Sequence, residues 1–241
     1  MFKSILNKIQ LRFKNREWAA NVLAESLKDV LKNEKIDSKD IVVFGIPRGG
    51  VITGDVIAQK LNASFNILIP RKIAAPHNEE LAIGAVMEDC TIYLNEELIR
   101  ILNISSEYID QAKSEQIEEI KRRRSLYQNK TVDDNFSPKD NIIGKCKTVV
   151  LADDGVATGA TLIAAARWVK GKKDLPINLI IATPIAPKEI LTRLKKEANY
   201  VEVIISPPTS SFKSVGQYYQ SFDQVTDEQV MEIMRRRGLL L

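Results

Sequence analysis

The chain has 241 residues, 44% of them hydrophobic and 27% charged, with 35 Lys and Arg against 31 Asp and Glu, for a net charge of +4. That balance belongs to a globular protein with a full core. It argues against an intrinsically disordered chain and gives no charge-based reason to invoke nucleic acid. No apolar run reaches membrane-spanning length. The two cysteines, Cys90 and Cys146, are too far apart for a zinc site or a disulfide framework, so a reducing cytoplasm is the expected setting.

In chain order, Met1 to Lys14 alternates apolar and basic residues without a continuous apolar core. It does not read as a secretory signal, and packing on the domain is preferred to an amphipathic surface helix. Residues 16–32 place Trp18, Val22, Leu23, Leu27, Val30 and Leu31 at helical spacing, which predicts a helix with one face on a sheet. Residues 41–46 form the first buried strand. Pro47-Arg48-Gly49-Gly50 follows, and then a helix over 51–61. An arginine beside two glycines, at a strand-to-helix junction, suits an anion held by main-chain N–H groups. Residues 65–70 form a third apolar strand that ends in Arg71-Lys72. The next stretch, mixed and carrying Pro76, His77, Asn78 and Gly84, reads as a mobile loop with a small hairpin, 83–87 against 91–95. His77, the only histidine of the chain, reads as a solvated loop residue in preference to a proton donor. Helices are predicted over 96–101 and 106–127. The second ends in Lys121-Arg122-Arg123-Arg124, charges that suit a helix C-terminus and read as a solvated face with no chemical role. Residues 133–144 read as a polar linker.

The segment 148–163 concentrates the chemistry. An apolar strand, 148–152, ends in two carboxylates, Asp153 and Asp154. Then come Gly155, Val156, Ala157, Thr158, Gly159, Ala160 and Thr161, and a helix over 162–169. In an open α/β sheet, ligands bind beyond the carboxyl ends of the strands. Gly155 and Gly159 let backbone come close to a ligand, and the free N–H groups of residues 157–161 at a helix start favour a phosphate. Asp153 and Asp154 would repel that phosphate. They suit hydroxyl donors or hydrated Mg²⁺. A ligand with a phosphate at one end and a vicinal diol nearby, such as ribose 5-phosphate, satisfies both halves. A P-loop lysine is absent, and so is the full glycine pattern of a dinucleotide site. Beyond this segment come a strand over 176–182, Thr183-Pro184-Ile185, a helix over 188–197 and a last strand over 200–205. Irregular chain carries Val215-Gly216-Gln217-Tyr218-Tyr219, and a terminal helix spans 226–237.

The run from Asp153 to Thr161 resembles the phosphoribosyl pyrophosphate (PRPP) signature of the type I phosphoribosyltransferases: an apolar strand, two acidic residues, a spacer, then Thr-Gly-x-Thr. The resemblance implies that Asp153 and Asp154 hold the ribose hydroxyls and, through water, Mg²⁺. It also implies that Gly155, Ala157, Thr158, Gly159, Ala160 and Thr161 hold the 5-phosphate. Arg48, Gly49 and Gly50 match the family's pyrophosphate loop, which often contains a strained or cis peptide. Arg71 and Lys72 fall where the family has a flexible loop that closes over PRPP, and there they would neutralise the leaving pyrophosphate. The sequence is most similar to a branch of the family with Pro-Arg-Gly-Gly, Arg-Lys-Ile, Glu-Leu-Ala-Ile-Gly-Ala and Val-Gly-Gln-Tyr-Tyr. Outside the shared loops it does not look like the hypoxanthine, adenine, uracil or orotate enzymes.

The expected fold is α/β: one domain over 1–241 with a central parallel sheet flanked by helices. An N-terminal helical segment (1–35), a helical insertion (96–130), a flexible loop and a C-terminal hood or tail (206–241) elaborate it. Strands 41–46 and 147–152 should be central neighbours. The expected activity is transfer of a 5-phosphoribosyl group from PRPP, with Mg²⁺, to a nitrogen acceptor such as a nucleobase, releasing pyrophosphate. Ile185, Tyr218 and Tyr219 are candidates to line the acceptor pocket, tyrosine offering a flat apolar face and a hydroxyl. Small molecules are the expected partners, without nucleic acid or membrane, and a homodimer is compatible with the resemblance. Two other readings stand beside this one. A regulatory module would bind PRPP without turnover. A hydrolase would use Asp153 as nucleophile, against which the adjacency of Asp153 and Asp154 weighs.

Overall fold

The computed structural model describes residues 12–128, 143, 146–171 and 177–240. Most of the Met1–Lys14 segment and of the 133–144 linker lie outside the described residues. Helix α1 (Arg16–Asn33) is capped by Asn15, whose side chain accepts from the Trp18 N–H. Then follow β1 (Ile41–Gly45), α2 (Gly49–Leu61), β2 (Ser64–Ile67), β3 (Arg71–Ala75), β4 (Asn78–Val86) and β5 (Ile92–Leu94). Two helices come next, α3 (Glu96–Ile101) and α4 (Ser106–Tyr127). The second half comprises β6 (Thr148–Ala152), α5 (Ala160–Lys170), β7 (Asn178–Ile185), α6 (Lys188–Leu194), β8 (Tyr200–Ile205) and α7 (Asp227–Arg236).

Five strands form a sheet in the order β2-β1-β6-β7-β8, every pair parallel. The unbroken apolar runs of β1 and β6 demand cover on both faces, and the sheet provides it. Along the strands the side chains alternate between two cores. Val43, Val150 and Ile180 join Leu23 and Leu27 of α1 and Ile57 of α2. Phe44, Leu151 and Ile181 join Leu162, Ile163 and Trp168 of α5 on the other face. The register pairs Ile67 with Gly45, and Gly45 with Ala152, the last residues of β2, β1 and β6. These three strands therefore end level, and the loops that leave β1 and β6 stand side by side.

Strands β3, β4 and β5 make a separate antiparallel sheet. The expected hairpin is there, with Gly84 opposite Leu94 and Val86 opposite Ile92. The segment before it is not an irregular loop. Arg71–Ala75 pairs with β4, with Arg71 opposite Val86 and Lys72 opposite Ala85. His77 occupies the tight turn between them at φ 60°. Proline and asparagine there mark a turn between strands, and a single turn signal cannot distinguish a hairpin from a loop. Other boundaries differ: β2 ends at Ile67, short of residue 70, α6 ends at Leu194, short of residue 197, and β7 runs through Pro184 to Ile185, where Ile185 pairs with Ile205.

Phe13 and the segment that follows β8 fold over the carboxyl edge of the sheet. Phe13 is extended: its N–H donates to Tyr218 O, and its carbonyl accepts from Gln220 N. A helix over all of residues 1–14 is thereby excluded. Helix α7 is fixed from the far side, where Arg236 and Arg237 both bond the buried Asp55 of α2. Among the described residues, no helix is long and apolar enough to cross a membrane.

Candidate functional site

Two loops meet at the ends of β1 and β6. The first is Ile46-Pro47-Arg48, with a cis Pro47–Arg48 peptide, leading into α2 at Gly49. The second runs from Asp153 to Gly159 and leads into α5 at Ala160. They touch so closely that neither glycine after Arg48 has room for a side chain. A Cβ on Gly50 would stand 2.7 Å from the Ala152 carbonyl, and one on Gly49 would overlap the Asp154 carboxylate. The crevice thus brings Arg48, Gly49 and Gly50 together with Asp153 and Asp154.

At the other end of the second loop, Gly159 caps α5 at φ 78°, a conformation that favours glycine. Gly159 has no side chain to cap this helix start, and the Ala160 N–H makes only a long 3.5 Å bond to Thr158 Oγ1, so the helix start can still turn N–H groups to a ligand. Thr158 and Thr161 are half-buried, Ala160 is buried and Ala157 is exposed. Gly155 lies under Val215 of the C-terminal segment, so closely that a Cβ there would collide with Val215 Cγ1.

The two carboxylates have different surroundings. Asp154 forms an ion pair with Arg16, Nε to Oδ2 at 2.6 Å, both side chains largely buried. The Arg16 guanidinium also donates to the Asp223 carbonyl at 2.7 Å and lies 3.8 Å from the Phe222 ring centroid. Asp153 accepts from the Asp154 N–H at 2.9 Å. Burial, and next the adjacent Asp154 charge, push its carboxyl well above the usual carboxylate range, while Arg16 pulls the other way. The pair is therefore one side chain held by an arginine and one that resists ionising.

The remaining expected residues are arranged as follows. Arg71, at the start of β3, is half-buried and donates from Nε to Gln116 Oε1 at 3.0 Å, so it is tied to α4 and not free in a mobile loop. Lys72 is partly exposed, 4.0 Å from Glu80. Arg48 lies 3.8 Å from Asp227 at the start of α7. Ile185 is fully buried at the end of β7. Tyr219 is buried between Phe13 and Phe222, and its hydroxyl donates to the Asp154 carbonyl at 2.6 Å. Burial, and then the Asp154 charge, raise that phenol above its ordinary range. Tyr218 is half-buried and stacks on Phe212, ring centroids 5.9 Å apart. His77 lies at the tip of the β3–β4 turn.

Sequence reasoning missed Arg16, Phe13 and Asp227. Each reaches the site from a chain end across more than a hundred residues, and no local pattern announces such a contact. Arg16 in particular looks like an ordinary first-turn residue of an amphipathic helix.

A family model described as the phosphoribosyl transferase domain matches residues 13–221. Two Mycobacterium tuberculosis proteins, each described as "Putative phosphoribosyl transferase", are 31% identical over 224 residues, 93% of this chain. The chain spans only 46% of their length. The crystal structure of TT1426 from Thermus thermophilus is similar over 95% of this chain and all of that one, with 32% identity and a TM-score of 0.68. With its parallel five-stranded sheet, its paired loops and this match, the chain belongs to the phosphoribosyl transferase family.

Proposed function

We propose that this protein is an enzyme that transfers the 5-phosphoribosyl group of PRPP to a nitrogen acceptor, a nucleobase or a related compound. The observation that carries the reading is the contact of the Arg48–Gly50 loop with Asp154 at the level ends of β1 and β6. One ligand lying across that crevice meets a cationic glycine loop at one end, carboxylates in the middle and an open helix start at the other.

In this reading, residues 157–161 hold the 5-phosphate through free N–H groups. Asp154 accepts from a ribose hydroxyl, and Asp153 offers a neighbouring oxygen. Arg48, Gly49 and Gly50, with Arg71 and Lys72, receive the pyrophosphate. The bond from C1 of the ribose to pyrophosphate oxygen breaks, a bond from C1 to the acceptor nitrogen forms, and the nitrogen loses its proton. The sugar passes through an oxocarbenium-like state, and the protein contributes position and charge more than covalent chemistry. Tyr218 borders the acceptor, whereas Ile185 and Tyr219, both buried, lie beneath the surface and do not line an open pocket.

The donor set fits Mg²⁺ in one manner only. Arg16 already holds Asp154, and Asp153 resists ionising, so Asp153 and Asp154 would hold the ion through water and not directly. Such an ion supplies positive charge against the departing pyrophosphate.

The test is pyrophosphate release measured with PRPP, Mg²⁺ and a panel of nucleobases and amines. Release that depends on one acceptor class supports the reading. Tight PRPP binding with no release under any acceptor would favour a regulatory binding module, and absence of PRPP binding would refute both.

A further inference from the structure

The basic end of α4 does not face solvent as a whole. Gln116, Glu119, Ile120, Arg123 and Tyr127 recur at intervals of three and four residues and share the inner face of the helix. Ile120 and Tyr127 are fully buried, and the Arg123 side chain is 11% exposed. On this face Gln116 holds Arg71, and the Tyr127 hydroxyl donates to Asp227. Asp227 in turn lies 3.8 Å from Arg48 and 3.7 Å from Arg122. Glu119 takes Arg122 through two bonds of 2.7 and 3.0 Å and Arg123 through one of 2.8 Å.

The helix therefore carries two arginines into the neighbourhood of Arg48 and Arg71. Four guanidinium groups share two carboxylates, Glu119 and Asp227, which leaves two positive charges uncompensated within the cluster. Glu119 cannot relieve the cluster by taking a proton, because its bond to Arg122 and its contact with Arg123, against the effect of burial, hold its carboxyl down to about 2. Arg71 shows the strain of the arrangement. Burial, and next the charge of Arg123, lower the affinity of its guanidinium for its own proton, and Arg48 and Arg122 add to this. Arg71 and Arg123 both use Nε for their bonds to Gln116 and Glu119. Among the described residues, no hydrogen bond occupies the terminal nitrogens of either. Lys121 and Arg124 take no part in the cluster: they pair with Glu118 and Glu88.

We propose that Arg123 of α4 is a binding residue for a polyphosphate group, completing with Arg48 and Arg71 a site for the pyrophosphate end of the ligand. Its assignment to PRPP rests on the phosphoribosyl transfer reading. A guanidinium anchored at Nε still presents two planar N–H donors, the geometry that takes two oxygens of a phosphate at once. A multiply charged anion would also supply the negative charge that the cluster lacks. Arg48, at 3.8 Å from Asp227, is beyond hydrogen-bond distance and free to exchange that carboxylate for a ligand oxygen. The helical insertion then has a function: it returns the chain over the first loop and delivers a cation there from the far side of β3.

The experiment is calorimetric titration of the full chain with inorganic pyrophosphate and, separately, with ribose 5-phosphate, for the wild type, Arg123→Gln, Arg123→Lys and Arg124→Gln. Arg123→Gln leaves Glu119 paired with Arg122, and its thermal melt reports whether the fold is retained. The expected result is a loss of about tenfold or more in pyrophosphate affinity for Arg123→Gln, with ribose 5-phosphate affinity within about twofold of wild type. Arg123→Lys, which keeps the charge and loses the fork, should fall between, and Arg124→Gln should match the wild type. If Arg123→Gln does not fold, Arg123→Lys decides by the same comparison. Wild-type pyrophosphate affinity in the Arg123 variants, or an equal loss for both ligands, overturns the proposal while leaving the phosphoribosyl reading intact. Arg123-dependent pyrophosphate binding in a protein that does not bind ribose 5-phosphate would sink that reading instead, and would leave the polyphosphate site standing.

Discussion

Arg16 Nε lies 2.6 Å from Asp154 Oδ2, so a residue from the first turn of α1 holds one carboxylate of the pair at the end of β6. The same arginine bonds the Asp223 carbonyl and covers the Phe222 ring. The N-terminal helix, the C-terminal segment and the acidic pair thus form a single unit. The arginine also favours the ionised form of Asp153.

Arg16→Gln should therefore raise the ionisation range of Asp153 further. Removing a cation disfavours its charged form, so the acid limb of ribose 5-phosphate binding should move to higher pH. Affinity at neutral pH should fall roughly tenfold, the scale of a lost bond to a charged group. Calorimetry from acid to alkaline pH checks both. An unshifted limb with weakened binding would mean that Arg16 acts only by packing.

Asp153→Asn should stabilise the protein while weakening ligand binding. A carboxyl whose folded-state pKa is raised contributes stability that is complete below the ordinary carboxylate range and is lost as pH rises through the folded value. Above the ordinary carboxylate range Asp153 is therefore a liability, and asparagine removes the ionisable group while its side-chain oxygen still accepts from the Asp154 N–H. The Tm at neutral pH should rise by about 2 °C or more, and the gain should shrink on acidification. A lower Tm at every pH would contradict the assignment.

Gly49→Ala should cost about 1–3 kcal/mol, because the added methyl overlaps the Asp154 carboxylate across the crevice. Something must move, and either the Arg16–Asp154 pair or the first loop gives way. Chemical denaturation measures the loss, and titration with ribose 5-phosphate should show weakened binding. A variant with wild-type stability and affinity would show that the two loops are not held in contact in solution.

The two tyrosines should separate. Tyr219→Phe removes a buried hydrogen bond to the Asp154 carbonyl and should lower stability by about 0.5–1.5 kcal/mol. Tyr218→Ala, at a half-buried ring, should leave stability nearly unchanged and, once an acceptor is known, raise its KM while leaving that for PRPP alone. Steady-state kinetics decide the second point. Unchanged acceptor kinetics would remove Tyr218 from the acceptor pocket.

The helices over 96–101 and 106–127 and the strand over 200–205 follow directly from the order of residues, because caps, turn residues and apolar periodicity are local signals. The pattern of the loops at Arg48 and Asp153 is equally local: glycine, acid and threonine spacing at strand-to-helix junctions is written in a few consecutive positions. Other relationships are not local. Five residues such as those of β3 suit a strand or an irregular loop equally well, and only pairing with β4 decides between them. The basic run at 121–124 divides into inward and outward residues only when α4 is laid against β3 and α7, since charge by itself has no direction. The inequality of Asp153 and Asp154, adjacent and chemically the same in the sequence, is a tertiary fact. It depends on Arg16 arriving from 138 positions away and on the depth at which each carboxylate lies, and both are set by how the chain ends fold over the sheet.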